Sequence, residues 1–199
     1  MHAELDGSAF DLQLASTKRP VLQHDQGYTA YPWGGYTYYY SREGMAAAGT
    51  VTIAGVTLPV TGTAWFDHQW GDMSSIVQLG WDWFALELDD NSEIMMFVVR
   101  ESGRQALVGG SVSGADGITT QISANDFAVT PLGQWTRPHT GCTYPSGWTI
   151  ALGDKRFTVT PAIPDQELST ATPVYWEGAC TVAGAATGRA YVELTGYCP

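Results

Sequence analysis

The fold is decided by the stretch WDWFALEL at residues 81–88, followed by DDNS at 89–92 and EIMMFVVR at 93–100. Both apolar runs are rich in the aromatic and aliphatic residues found in buried strands. Asp, Asn and Ser between two such runs are typical of a tight turn. These residues therefore predict a β-hairpin that pairs Trp81–Leu88 with Glu93–Arg100.

The period-two alternation of this hairpin continues along the rest of the chain. Before it lie an alternating run at 10–14, an aromatic and Thr-rich run at 36–40, and a hairpin-like stretch at 51–60 that continues to residue 70. After it come strand-like runs at 105–112, 118–122, 127–130, 148–152, 157–161, 173–182 and 189–197. Only Met45–Ala48 looks helical, and it is too short to form a helix alone. Many short strands predict an all-β sandwich or barrel.

Composition narrows the possible partners. The chain has 20 acidic and nine basic residues and a net charge of −11. That charge repels phosphate backbones and anionic lipids, so we expect no nucleic-acid or membrane-surface partner. We also expect no membrane span, because no apolar run reaches the roughly 18 residues that a span needs. The first residues lack the basic and apolar blocks of a signal peptide, which favours a cytoplasmic location.

Several kinds of site have no motif in this sequence. There is no glycine-rich phosphate loop and no paired-histidine metal motif, so we expect no cofactor and no metal. Three cysteines, Cys142, Cys180 and Cys198, allow one disulfide and one free thiol. Small buried thiols are the alternative, and the sequence leaves both open.

Strand parity singles out Asp82. In the 81–88 run, Asp82 shares a face with Phe84, Leu86 and Leu88, whereas Trp81 and Trp83 share the other face. If the first of these faces lines an apolar interior, burial raises the pKa of the Asp82 carboxyl. A carboxyl that stays protonated near neutral pH can act as a general acid.

The preceding strand adds a histidine and an aromatic wall. Phe66, His68 and Trp70 share one face, and Trp65, Asp67 and Gln69 share the other. The first face predicts that His68 assists the carboxyl and that Trp70 stabilises positive charge. Plainer interpretations stay open: an exposed Asp82, a structural His68, and tryptophans that only fill a core. Four later residues are expected to be outward or paired structural groups: Tyr175, Glu177, Tyr191 and Glu193.

Four motifs, in order, resemble the lipocalin-like carotenoid 1,2-hydratase (CrtC)/AttH family, which also includes lipocalin-like pericyclases. They are GTAWFDHQWG at 62–71, GWDWFALEL at 80–88, YPSGW at 144–148, and YWEG at 175–178 with GRAYVELTGY at 188–197. The resemblance implies two consecutive lipocalin-like β domains and an apolar ligand such as a polyene, isoprenoid or polyketide chain. The positions that match the family's catalytic residues are His68, Trp70 and Asp82.

The resemblance also implies a domain organisation. Family members are longer, with more β-structure before the first matching strand. We therefore expect residues 1–72 to be the last strands of a first β domain and residues 73–199 to be a complete lipocalin-like domain. A second copy, or another chain that completes the first domain, is the expected protein partner.

Three functions stay open. The first is an enzyme that hydrates, isomerises or cyclises a hydrophobic polyene or isoprenoid with acid assistance and no cofactor. Its catalytic residues are Asp82 and His68, and its substrate-binding residues are Phe66, Trp70, Trp81, Trp83 and Phe84. The second is a non-catalytic carrier of an apolar ligand. The third is a structural module in which the aromatic residues only form the core.

Overall fold

The computed structural model describes residues 1–24, 26–76, 79–168 and 174–198. Within these residues the regular elements are β-strands, and no α-helix is present. In chain order the strands are β1 (His2–Leu5), β2 (Ser8–Ala15), β3 (Val21–Leu22), β4 (Tyr28–Ala30), β5 (Tyr36–Ile53), β6 (Val56–Asp72), β7 (Gly80–Leu88), β8 (Glu93–Glu101), β9 (Arg104–Ser113), β10 (Thr119–Ser123), β11 (Phe127–Pro131), β12 (Gln134–Thr136), β13 (Thr143–Pro145), β14 (Trp148–Leu152), β15 (Lys155–Pro161), β16 (Glu167–Leu168), β17 (Tyr175–Gly184) and β18 (Gly188–Leu194).

The strands form two large antiparallel sheets. Sheet 1 contains β1 to β6, with the long strands β5 and β6 paired along their lengths. Sheet 2 has the order β10-β9-β8-β7-β18-β17-β15-β14-β11, with β16 beside β17, and it is nearly closed into a barrel. Strands β12 and β13 form a separate two-stranded ribbon. The expected all-β architecture is confirmed.

Both predicted hairpins are present. Strands β7 and β8 pair directly around the turn at residues 89–92. Strands β5 and β6 pair around Ala54 and Gly55, whose φ angles are 49° and 78°. Positive φ at both central residues is what a type I′ hairpin turn requires.

Met45–Ala48, which looks helical but is too short to form a helix alone, is part of a strand. These residues lie inside β5, where Ala47 pairs with Leu14 of β2 on one side and with Gly62 of β6 on the other. Backbone hydrogen bonds to two neighbouring strands outweigh the weak helix preference of four residues. Sheet 1 ends at Asp72 and sheet 2 begins at Gly80. The division into two domains at residue 72 stays a prediction.

Two hydrophobic clusters lie on the two faces of sheet 2. The barrel interior is densely packed, and Phe84, Leu86, Trp148 and Val192 are fully buried in it. The second cluster lies between the sheets and includes the buried Tyr39, Met95, Phe97 and Val99, with the half-buried Trp65, Trp81 and Trp83 around them. Strand β8 is therefore buried on both faces. The space beside the second cluster holds the cavity.

Candidate functional site

An open cavity of about 750 Å³ lies between the two sheets. Sheet 1 contributes Trp65, Asp67 and Gln69 to its wall, and sheet 2 contributes Trp81 and Glu193 among others. Small-molecule sites usually measure roughly 300–1,000 Å³ and are mostly apolar with a few polar groups. The size and the mixture of side chains are therefore those of a ligand pocket.

Glu193 places a carboxyl on the cavity wall. It lies on β18, directly opposite Trp83 of β7, and its Oε1 accepts a hydrogen bond of 2.5 Å from the indole nitrogen of Trp81. Burial raises the pKa of Glu193 to about 7, and the negative charges of Glu177 and Asp67 contribute to the increase. The Trp81 hydrogen bond opposes the shift by favouring the carboxylate. At neutral pH the group can therefore exist either as an acid or as a base.

Asp67 is the second carboxyl on the wall, and both of its oxygens have donors. The indole nitrogen of Trp65 donates to Oδ1 at 2.8 Å, and the Tyr39 hydroxyl donates to Oδ2 at 2.7 Å. The indole nitrogen of Trp83 in turn donates to the Tyr39 oxygen at 3.1 Å. Burial raises the pKa of Asp67, while its hydrogen bonds lower it. These donors fix the orientation of the carboxyl.

Aromatic rings surround the two carboxyls. Trp65 and Trp83 meet edge to face with ring centroids 6.0 Å apart, and so do Trp81 and Tyr175. The faces of such rings carry partial negative charge and attract cations. An apolar ligand in the cavity would therefore contact surfaces that can stabilise a developing positive charge.

Asp82 lies on the opposite face of β7, away from this cavity. Its Oδ1 forms an ion pair of 2.5 Å with Arg100, and the Tyr197 hydroxyl donates to both carboxylate oxygens at 2.9 and 3.1 Å. The guanidinium carbon of Arg100 lies 4.5 Å from the centroid of the Tyr197 ring. Burial raises the pKa of Asp82, and the Arg100 charge opposes that shift.

The surroundings of Asp82 correct one expectation. The sequence predicts that the face it shares with Phe84 and Leu86 lines an apolar cavity, but both neighbours are 0% exposed inside the packed barrel. Among the described residues, the wall of the inter-sheet cavity does not include Asp82 or Phe84. Strand parity identifies two faces of β7 but does not tell which face is filled by side chains from other strands.

His68, Phe66 and Trp70 are together, but on the outer face of sheet 1. The His68 ring lies 4.7 Å from that of Trp70 and 5.5 Å from that of Tyr40. Phe66 is 40% exposed and Trp70 is 45% exposed. The expectation that His68 shares an interior with Asp82 is therefore not met, because sheet 1 packs its other face on sheet 2. Of the predicted site residues, only Trp81 and Trp83 reach the cavity.

Sequence reasoning missed the two carboxyls. Glu193 was expected to be an outward or paired structural group together with Tyr175 and Tyr191, yet all three line the cavity. The available signal was the alternation of polar and apolar residues on β17 and β18. The polar side chains of such a strand can face a water-filled cavity as well as bulk solvent. Asp67 lies on the same strand face as Trp65, and the alternation of residues in the sequence already predicts this.

Within residues 1–24, 26–76, 79–168 and 174–198, no cluster of three or more His, Cys, Asp or Glu side chains is suited to hold a metal ion. The same ranges include no helix with the length and apolarity needed to cross a bilayer. Cys142 and Cys198 form a disulfide, and Cys180 is a buried free thiol.

Comparisons with known proteins identify relatives of this arrangement. The AttH-like family profile matches residues 1–197. A crystal structure from Nitrosomonas europaea, described provisionally as AttH, superposes with a TM-score of 0.91 at 30% identity, covering 100% of this chain and 64% of that one. Kievitone hydratase from Nectria haematococca superposes with a TM-score of 0.79 at 21% identity, covering 98% and 63%.

The chain thus spans less than two thirds of either solved relative. A comparison with curated proteins finds no match. The family profile extends over nearly the whole sequence, and the resemblance drawn from the four motifs is confirmed. The chain therefore belongs to the AttH-like family.

Proposed function

We propose that this chain provides the site of a hydratase-type enzyme that adds water to a carbon–carbon double bond of an apolar substrate, such as a polyene or isoprenoid. One observation carries the proposal. Glu193, a carboxyl whose pKa is raised to about 7, faces an aromatic cavity that also holds a second carboxyl, Asp67. A general acid is most effective when its pKa lies near the working pH.

The reaction uses Glu193 first as an acid and then as a base. Protonated Glu193 gives its proton to one alkene carbon, so that a C–H bond forms and the other carbon becomes cationic. The rings of Trp81 and Trp83 stabilise this cation. Water then forms a C–O bond to the cationic carbon and releases a proton to the now ionised Glu193, which restores the protonated acid. The sum is addition of one water molecule without a change in the enzyme.

Asp67 has a different task because its two oxygens already accept hydrogen bonds from Trp65 and Tyr39. Its charge raises the pKa of Glu193, which keeps the proton donor loaded. Kievitone hydratase, which shares this fold, is by its name an enzyme of the same reaction type. The proposal gives no role to Asp82, His68, Phe66, Trp70 or Phe84, whose predicted functions stay predictions.

The test is turnover in oxygen-18 water with a panel of acyclic isoprenoids and linear polyenes, followed by mass spectrometry. Glu193→Gln should lower turnover by about 100-fold or more, because general acid–base catalysis contributes roughly 10²–10⁴-fold. Ligand affinity should stay within a few-fold, because the amide keeps the shape of the side chain. Unchanged turnover in this variant would reject Glu193 as the proton donor.

Glu177→Gln is the matched control, because Glu177 is paired directly with Glu193 but does not line the cavity. It should keep turnover and move the pH optimum to a slightly lower value, since it removes a negative charge that raises the pKa of Glu193. A wild-type protein that binds these ligands with no turnover of any of them would instead favour the carrier function.

A further inference from the structure

His24 lines the end of the cavity next to β8, and the proposed reaction does not use it. It follows the short strand β3, and its ring centroid lies 4.8 Å from that of Phe97. Its φ angle is 56°, a left-handed conformation that is unfavourable for a residue other than glycine. The local backbone therefore holds this imidazole against the cavity at some cost in stability.

The imidazole of His24 has no hydrogen-bond partner among the described residues. Burial lowers the pKa of His24 to about 4, so the ring is neutral at pH 7. A neutral imidazole has one nitrogen that donates and one that accepts a hydrogen bond. Inside an apolar wall, such a ring offers a ligand both kinds of polar contact.

The sheet gives the spacing between Phe97, beside which His24 lies, and the proposed proton donor. Phe97 of β8 pairs directly with Trp83 of β7, and Trp83 pairs directly with Glu193 of β18. Directly paired residues project to the same face, and neighbouring strands lie about 4.8 Å apart. Phe97 and Glu193 are therefore separated by about 10 Å across the cavity floor, with Trp83 between them.

The charge of the cavity wall restricts what His24 can bind. Among the described residues, the ionisable side chains of the cavity wall include the carboxyls of Asp67, Glu87 and Glu193, and Arg189 is the cationic group. An anionic head group would meet more negative than positive charge here, and the neutral imidazole would not compensate for it. An uncharged hydroxyl or carbonyl oxygen suits the site better.

We propose that His24 binds a hydroxyl or carbonyl oxygen of the substrate, at the side of the cavity where Phe97 lies two strands away from Glu193. The substrate is then an unsaturated alcohol or carbonyl compound and not a pure hydrocarbon. The position of the double bond rests on the proposed function, whereas the polar contact at His24 does not depend on it.

The test compares the binding of farnesol and farnesene, an alcohol and a hydrocarbon with the same carbon skeleton. Affinity is read from the emission of the tryptophans that line the cavity. The wild-type protein should bind farnesol about five- to ten-fold more tightly, which corresponds to one hydrogen bond. His24→Ala should remove this preference by weakening farnesol binding alone. His24→Asn should keep part of it, since Asn tolerates a positive φ and can still hydrogen bond.

Two further variants separate the possible failures. Gln26→Ala is the control for the backbone, because Gln26 also has a positive φ, 57°, but does not line the cavity. It should keep the preference for farnesol. Glu193→Gln should also keep it, even though turnover is lost. Equal affinity of the wild-type protein for both ligands, or a preference that survives in His24→Ala, would overturn the proposal, whatever the result for Glu193.

Discussion

The indole nitrogen of Trp81 donates a hydrogen bond to Oε1 of Glu193 across the neighbouring strands β7 and β18. The bond engages one oxygen of the carboxyl and leaves the other to carry the proton. Burial favours the neutral acid, whereas the Trp81 donor favours the carboxylate. The balance of these opposing effects places the pKa of Glu193 at about 7.

Removing the Trp81 donor should raise the pKa of Glu193 further. In Trp81→Phe the ring is kept but the hydrogen bond is lost, so the carboxylate loses stabilisation. The midpoint can be followed by NMR of carbon-13-labelled glutamate, with Glu193→Gln to assign the signal. Trp83→Phe is the control, since that indole donates to Tyr39 instead. A midpoint in Trp81→Phe that is unchanged or lower would contradict the assigned role of the bond.

Asp82→Asn should reduce stability while leaving ligand binding intact. The carboxylate is the partner of Arg100, and both side chains are largely buried. Removing one member of such a pair leaves an uncompensated charge and costs roughly 3–5 kcal/mol. Guanidinium unfolding measures the loss, and Glu193→Gln should show no comparable loss. If Asp82→Asn keeps full stability but loses turnover, the catalytic role predicted from the sequence is favoured over the structural one.

Stability should fall as the pH rises from about 4.5 to above 7, in part because of Glu43. This side chain is 3% exposed, and burial raises its pKa from 4.5 to about 7, with a further contribution from the charge of Glu93. A carboxyl whose pKa is higher in the folded than in the unfolded protein makes its full contribution to stability at a pH low enough to protonate it in both the folded and the unfolded state. That contribution is lost as pH rises through the pKa of the folded protein.

Glu43→Gln isolates this effect, because the amide resembles the protonated acid. The variant should match the wild-type protein near pH 4.5 and exceed it at pH 8 by an amount of the order of 3 kcal/mol. The free energy of unfolding at the two pH values is the measurement. Glu101→Gln, at an exposed position, should match the wild-type protein at both. An equal difference between Glu43→Gln and the wild-type protein at both pH values would show that ionisation of Glu43 does not cause the pH dependence.

The disulfide should stabilise the end of the chain. Cys142 and Cys198 are 56 residues apart. The chain-entropy estimate for a loop of this size is about 4 kcal/mol. Cys198→Ser should therefore lower the guanidinium midpoint of unfolding, as should a reductant acting on the wild-type protein. The reductant should have no further effect on the variant. A midpoint that does not respond to the substitution would show that the crosslink constrains little of the unfolded state.

Much of the fold could be predicted from period-two alternation alone. The hairpin of β7 and β8 and the turn at Ala54–Gly55 follow from local residues, because turn chemistry and side-chain alternation act over a few positions. Parity also correctly separated Trp65 from His68 and Trp81 from Asp82. What it could not supply was the packing partner of each face, which depends on strands that are distant in sequence.

The candidate site was harder to predict for the same reason. Asp82 and Glu193 are both acidic residues on alternating strands, and nothing local distinguishes a carboxyl that is paired with Arg100 from one that borders a cavity. The distinction arises only when sheet 1 covers one face of sheet 2 incompletely. Choosing the disulfide partners among three cysteines also required the two strand ends to be placed side by side.

Strand β7, which is nine residues long, contributes side chains both to the packed barrel interior and to the cavity. Every second side chain belongs to the closed interior of the barrel, and those between face the cavity between the sheets. Substitutions at Trp81, Trp83 and Ala85 can therefore reshape the pocket without disturbing Phe84 or Leu86. A combinatorial library confined to those three positions would be the economical route to variants with a reshaped cavity.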